Sequence, residues 1–134
     1  MKQRQMQFTI IKYGKYRRDE FLQLLLKTKG MVFLSISESQ GLALNEAWAR
    51  NVPTLAYNGS YLNTSELKWL ASSPAPYLNS QNGMFFNSAA EFANKLEEFL
   101  LKLSAFQPEL YHRQNFTNRL CAENYLKIIS ELQP

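Results

Sequence analysis

Two carboxylates and a glycine lie within nine consecutive residues of this chain, at Glu38, Gly41 and Glu46. Carboxylate oxygens accept hydrogen bonds from sugar hydroxyls, and a glycine lets another group approach the backbone closely because it has no side chain. Leu42 and Ala43 are predicted to begin a helix, where free N–H groups and the positive helix end favour an anion such as phosphate. The pattern therefore predicts a phosphate site with a hydroxyl-binding carboxylate on either side.

The elements that must position these residues can be read from the surrounding sequence. Met31–Ile36 is a nearly continuous apolar run, which predicts a parallel strand covered on both faces. A polar turn follows, then a helix from Leu42 to Ala49, which ends because Pro53 disfavours helical backbone just before it. Thr54–Tyr57 is predicted to be the next strand. This strand–helix–strand unit places the turn at the carboxyl end of the first strand, where open parallel sheets bind ligands.

The segment Glu38–Glu46, which reads ESQGLALNE, resembles the Glu-x7-Glu signature of retaining glycosyltransferases with the GT-B fold. The resemblance includes Ala47–Ala49 and the Val-Pro pair that ends at Pro53, and it extends more loosely from Ile10 to about Phe86. It implies a binding site for a nucleotide diphosphate sugar donor.

The resemblance also implies a role for each residue of the motif. Glu38 would be the catalytic-site carboxylate that contacts the donor sugar. Gly41, with Leu42 and Ala43, would bind the diphosphate, and Glu46 would bind the ribose hydroxyls. The implied reaction is glycosyl transfer with retention at the anomeric carbon, in which preorganised N–H groups stabilise the charge on the leaving diphosphate.

No metal and no cofactor are expected, because GT-B enzymes usually hold the diphosphate with backbone and basic side chains. In that family the basic pair that does so comes from earlier strands of the same domain, and the resemblance leads us to expect that this sequence does not include it. Lys12, Lys15 and Arg17 are not at matching positions, so none of them is assigned to that role.

The resemblance sets the expected fold class as α/β, a Rossmann-like parallel sheet with flanking helices. GT-B enzymes have two such domains, the first binding the acceptor and the second the donor. The 134 residues are therefore expected to form a single, incomplete donor-binding domain, the C-terminal half of such an enzyme. It would be inactive alone and would require an N-terminal acceptor domain or a separate subunit. Exposed apolar surface at the missing interfaces favours a homodimer.

Bulk composition narrows the class of protein. Apolar residues make up 46% of the chain, as in an ordinary globular domain, and no apolar run approaches the roughly 20 residues that span a bilayer. The start lacks an apolar signal segment, and the lone Cys121 fits a reducing compartment. A cytoplasmic location is expected, with peripheral membrane association as an alternative. His112 is the only histidine, so no Cys/His metal pattern exists.

Charge is distributed unevenly, because residues 1–30 carry a net charge of +6 within a chain of net charge +4. A basic segment of this kind can meet nucleic acid, anionic lipid or an acidic partner domain. A solvated helix face is the favoured interpretation, and nucleic acid is not an expected partner because no aromatic stacking motif interleaves the charges. The alternative to a glycosyltransferase donor domain is a non-catalytic Rossmann-like binding or interaction module.

The rest of the chain yields further predictions, which include Trp48 in the core, Cys121 as a buried apolar group, and a capping box at Ser88–Glu91. The predicted strands are Phe8–Ile11, Tyr77–Leu78 and Gly83–Phe86. Helices are predicted at Arg17–Lys29, which Gly30 ends, and at Thr64–Ala71. A further helix is predicted after the capping box and stops before Pro108. The last predicted helix is Phe116–Leu132, whose apolar side chains are expected to pack.

Overall fold

A computed structural model of the chain describes residues 6–36, 38, 40–58 and 73–132. The predicted helix Thr64–Ala71 lies outside the described residues. In chain order the elements are α1 Arg18–Leu25, β1 Met31–Phe33, α2 Leu42–Trp48, β2 Thr54–Tyr57, β3 Gly83–Phe86, α3 Ala89–Leu101, α4 Pro108–Asn115 and α5 Asn118–Leu132.

The described strands form one parallel sheet in the order β1-β2-β3. Met31 pairs with Thr54, and Thr54 pairs in turn with Gly83. The central strand β2 is buried from Thr54 to Ala56, as expected for a parallel strand that is covered on both faces. The chain is therefore a mixed α/β fold with a small parallel sheet and flanking helices, which is consistent with a Rossmann-like arrangement.

Helix α2 is anchored to the sheet by Trp48, which is completely buried and lies in the core, as predicted. Its indole Nε1 donates a hydrogen bond of 3.2 Å to the Thr54 hydroxyl, which is also buried. The ring meets Tyr111 of α4 edge-on, with the ring centroids 6.1 Å apart. Because α2 follows the turn that carries the candidate site, these contacts fix the site relative to β2.

Two predicted strands are absent from the described structure. Phe8–Ile11 and Tyr77–Leu78 have no strand assignment, and Phe8 is 81% exposed. Apolar residues with high strand propensity form a strand only when a neighbouring strand satisfies their N–H and C=O groups. Neither segment has a ladder partner among the described residues, so both predictions are wrong.

Strand β1 is shorter and more exposed than its sequence indicates. It ends at Phe33 and pairs, within the described part of the chain, with β2 alone. Val32 and Ile36 are exposed, and Leu34 is 73% exposed. The prediction of a strand covered on both faces is therefore wrong, because a continuous apolar run cannot tell an edge strand from a central one.

Helices α1, α3 and α5 lie where the sequence predicts helices, but each is shorter than predicted. Helix α1 ends at Leu25, well before Gly30. Ser88 does cap α3 by accepting a bond from the Glu91 N–H, but the Glu91 carboxylate accepts from the Asn87 N–H rather than from that of Ser88. Helix α3 already ends at Leu101, so Pro108 does not end it as predicted; Pro108 instead begins α4, where a missing N–H costs nothing.

The final helix does not pack as predicted. No residue of α5 is buried, and Tyr125, Leu126, Ile128 and Ile129 are all exposed. Cys121, predicted to be a buried apolar group, is exposed on the same helix. The helical spacing of apolar residues was sufficient to predict a helix, but it does not determine whether another part of the chain covers it.

Candidate functional site

The turn between β1 and α2 is shaped by Gly41, whose φ of 65° and ψ of 50° are left-handed. Glycine adopts this conformation without steric cost, whereas residues with a Cβ rarely do. Asn45 donates from Nδ2 to the carbonyl oxygens of Gln40 and Gly41, at 3.3 Å in each case. Gly41 is itself buried, so its contribution is to the shape of the turn rather than to direct ligand approach.

Gly41→Ala is expected to destabilise the protein by about 2 kcal/mol, because it strains the backbone and crowds a neighbour. An added Cβ would lie 3.0 Å from Leu44 Cδ1. Gly14→Ala is the matched control, since Gly14 has a φ of +72° but a Cβ added there would meet nothing within 4 Å. Urea denaturation followed by circular dichroism should give a larger loss at Gly41; equal losses would show that Leu44 is not crowded.

The two residues after Gly41 face different surroundings. Leu42 is 69% exposed at the start of α2. Ala43 is half-buried and packs against the cluster of Phe21 and Leu25 from α1. Of the predicted diphosphate-binding segment, Leu42 therefore borders solvent, whereas the Ala43 side chain belongs to the contact between α1 and α2.

Glu38 lies beyond the carboxyl end of β1, as the sequence predicts, and it is half-buried. The Ser35 hydroxyl donates to Glu38 Oε1 at 3.5 Å, a long hydrogen bond. The carboxylate therefore stays near the strand from which it emerges and can accept further hydrogen bonds.

Glu46 lies on the second turn of α2, and its carboxylate forms an ion pair with α1. Arg18 Nε donates to Glu46 Oε1 at 2.6 Å, and the two side chains are 77% and 21% exposed. Arg50 Nη1 also donates to the backbone oxygen of Glu46, at 3.1 Å. Arg18 therefore contacts the carboxylate that was predicted to bind ribose, whereas Arg50 contacts the backbone of the same residue.

Packing between α1 and α2 explains how Arg18 reaches Glu46 across 28 residues of sequence. Phe21 and Leu25 of α1 are buried against Ala47 and Val52. Arg18 precedes Phe21 by three residues, so it lies about one turn away on the same side of α1. No local pattern in the sequence indicates this contact, because it depends on how the two helices pack.

A wide cavity of about 390 Å³, open to solvent, lies beside Glu46. Its charged groups are the carboxylate of Glu46 and the guanidinium groups of Arg18 and Arg50, and Arg50 has no carboxylate partner among the described residues. His112 also lines the cavity, and burial lowers the pKa of its imidazole below the ordinary value. The remaining lining residues are Leu42, Asn45, Ala49 and Asn118.

The cavity has an excess of positive charge and several hydrogen-bonding groups, so it suits an anionic ligand that also carries hydroxyls. Of the predicted site residues, Glu46 and Leu42 line it, whereas Glu38, Gly41 and Ala43 do not. The Asn45 side chain spans the turn and the cavity, and its buried Oδ1 has no hydrogen-bond partner among the described residues.

Arg18, Arg50 and His112 belong to this surface, although no sequence pattern predicted them there. Of the basic residues that were considered from the sequence, Arg17 instead pairs with Asp19 at 3.0 Å, and Lys12 and Lys15 are exposed. Across the described ranges, no group of three or more His, Cys, Asp or Glu side chains is arranged to hold a metal ion. None of the described helices is both long and apolar enough to cross a membrane.

The chain matches no protein-family model, no curated protein and no solved structure with which it was compared. The resemblance to GT-B glycosyltransferases therefore depends on the motif residues alone. What the structure itself shows is an α/β fold with a small parallel sheet.

Proposed function

We propose that the chain is the donor-binding domain of a retaining glycosyltransferase with the GT-B fold, and that it binds a nucleotide diphosphate sugar. The observation that carries the proposal is the cavity beside α2, in which a half-buried Glu46 is accompanied by Arg18 and Arg50. A carboxylate accepts hydrogen bonds from vicinal hydroxyls, and guanidinium groups bind phosphate through paired donors. This combination of groups can bind both a ribose and a diphosphate.

Each predicted residue has a place in the proposed complex. Glu46 accepts hydrogen bonds from the ribose hydroxyls. The N–H groups of Leu42 and Ala43, at the start of α2, would bind the diphosphate, and the left-handed turn at Gly41 precedes them. Glu38, which follows the carboxyl end of β1, would contact the donor sugar.

In this proposal the chain transfers no sugar by itself, because an N-terminal domain or a separate subunit supplies the acceptor-binding site and part of the donor site. Apolar side chains are exposed at and just beyond the edge strand of the sheet, at Val32, Leu34 and Ile36. Their exposure supports burial of this surface against another domain, a separate subunit or a second copy of the chain. The same exposed residues favour the second candidate function, a non-catalytic interaction module.

Calorimetric titration of the chain with UDP, GDP and ADP separates these two functions. We expect at least one of the three to saturate the protein with a Kd below about 1 mM. Glu46→Gln should weaken that binding by about tenfold or more, because charge-assisted bonds to the ribose hydroxyls are lost. Self-association without nucleotide binding would favour the interaction module.

Glu20→Gln is the matched control for the titration. Glu20 is an exposed carboxylate in the first turn of α1, so the variant removes the same charge outside the cavity. Its affinity should equal that of the unmodified chain. Absence of saturable binding at millimolar nucleotide, or equal affinities for the Glu46→Gln and Glu20→Gln variants, would refute the donor-site proposal.

A further inference from the structure

The ion pair between Arg18 and Glu46 uses one of the two carboxylate oxygens to which the vicinal hydroxyls of the proposed ribose would bond. Arg18 Nε lies 2.6 Å from Glu46 Oε1, which is hydrogen-bonding distance for a charged pair. Each carboxylate oxygen has two lone pairs, so a ribose hydroxyl that bonds to Oε1 shares this acceptor with the guanidinium. Sharing the acceptor weakens the ion pair when the two ribose hydroxyls bond to the two carboxylate oxygens.

The two partners differ in how firmly they are held. The Glu46 side chain is 21% exposed and lies on α2, which is anchored through the fully buried Trp48. The Arg18 side chain is 77% exposed at the first residue of α1. Little packing resists movement of the arginine, so Arg18 can change position more readily than Glu46.

We infer that Arg18 exchanges partners when the ligand binds, releasing Glu46 to the ribose and pairing with the diphosphate of the same molecule. This inference rests on the proposed function and adds a residue that recognises the diphosphate. The guanidinium carries five donors in a planar fork that matches phosphate oxygens, and the long side chain reaches across the cavity that it already lines.

Arg50 has a different role in this exchange. Its Nη1 is bonded to the backbone oxygen of Glu46, which does not leave when the ligand enters. Arg50 therefore contributes a fixed positive charge to the cavity, whereas Arg18 contributes one that changes partner. The exchange keeps the Arg18 charge paired throughout: before binding its partner is Glu46, and after binding its partner is the diphosphate.

The exchange predicts opposite effects of Arg18→Gln on two related ligands, measured by calorimetry. The nucleoside diphosphate that binds most tightly among UDP, GDP and ADP should bind about tenfold more weakly, because a charged donor to phosphate is lost. The matching nucleoside, which has no phosphate, should bind up to about fivefold more tightly, because Glu46 is no longer occupied.

Arg17→Gln is the control, since Arg17 is the preceding arginine and pairs with Asp19 rather than with Glu46. It should leave both affinities unchanged. Circular dichroism melting of each variant verifies folding, and Arg18→Lys provides a second test: it retains the charge without the planar fork, so its affinity for the diphosphate should lie between those of the unmodified chain and the Arg18→Gln variant.

Salt gives a readout that needs no variant. Raising ionic strength screens exposed charges, so it should weaken binding of the nucleoside diphosphate while strengthening binding of the nucleoside to the unmodified chain. If Arg18→Gln changes both affinities in the same direction or changes neither, the exchange is overturned even though Glu46 still binds the ligand. If the unmodified chain binds neither ligand, the proposed function itself fails.

Discussion

Trp48→Ala is expected to reduce the free energy of unfolding by about 3–5 kcal/mol, a large part of the roughly 5–15 kcal/mol that stabilises a typical domain. Trp48 is completely buried and packs against the central strand. Its removal leaves a cavity between α2 and the sheet and deprives the Tyr111 ring of its edge-on contact. Urea denaturation followed by circular dichroism measures the loss.

Two further variants separate the packing of Trp48 from its hydrogen bond to the buried Thr54 hydroxyl. Trp48→Phe keeps an aromatic ring but leaves that hydroxyl without its donor, and we expect a loss of about 1–3 kcal/mol. Adding Thr54→Val to Trp48→Phe removes the unpaired hydroxyl and should restore part of the loss. A loss below about 1 kcal/mol for Trp48→Ala would contradict the burial of this side chain.

Loss of Trp48 should also affect the candidate site. Residue 48 is the last residue of α2, and Glu46 lies on the same short helix. If α2 shifts on the sheet, the distance between Glu46 and Arg18 of α1 changes with it. The Trp48→Phe variant should therefore bind nucleoside diphosphates more weakly than the unmodified chain at a temperature where both are folded.

Gly83→Ala is the second substitution with a large expected effect, about 3 kcal/mol of destabilisation or more. A Cβ at residue 83 would lie 2.0 Å from the carbonyl oxygen of Thr54 and 2.7 Å from Leu78 Cδ1. Thr54 is the ladder partner of Gly83, so its oxygen cannot move away without disrupting the pairing of β2 with β3. The same denaturation experiment measures this loss.

Ser80→Ala is the matched control for Gly83→Ala, because it makes a change of one small side chain in the exposed turn just before β3. Its effect should lie within about 0.5 kcal/mol of zero. A Gly83→Ala protein with the stability of the unmodified chain would show that β2 and β3 do not approach each other this closely.

The elements around the motif were predictable because their signals are local. Helix α2 and strand β2 follow from apolar spacing and from Pro53, and Gly83–Phe86 forms the predicted strand. The Ser88 hydroxyl caps α3 as its sequence indicates. In each case the decisive interactions join residues that are close together in the chain.

Predictions failed where burial depends on distant parts of the chain. Phe8–Ile11 has the composition of a strand but no ladder partner among the described residues, and β1 is half-exposed because it pairs on one side within the same part of the chain. The apolar residues of α5 form a helix, but no other described part of the chain buries them. The apolar content of a segment indicates how much free energy its burial would contribute. It does not indicate whether another part of the chain packs against it.

The sequence by itself determined the strand–turn–helix–strand unit, the glycine of its turn, and the two carboxylates at nearby positions, since backbone sterics and hydrogen bonding act within a few residues. Only the tertiary structure decided which groups accompany them. Packing of α1 and α4 beside α2 brings Arg18 and His112 to the cavity at Glu46, and this depends on how Phe21, Leu25 and Trp48 are buried. The free energy of that burial is shared among residues far apart in sequence, and no local pattern contains it.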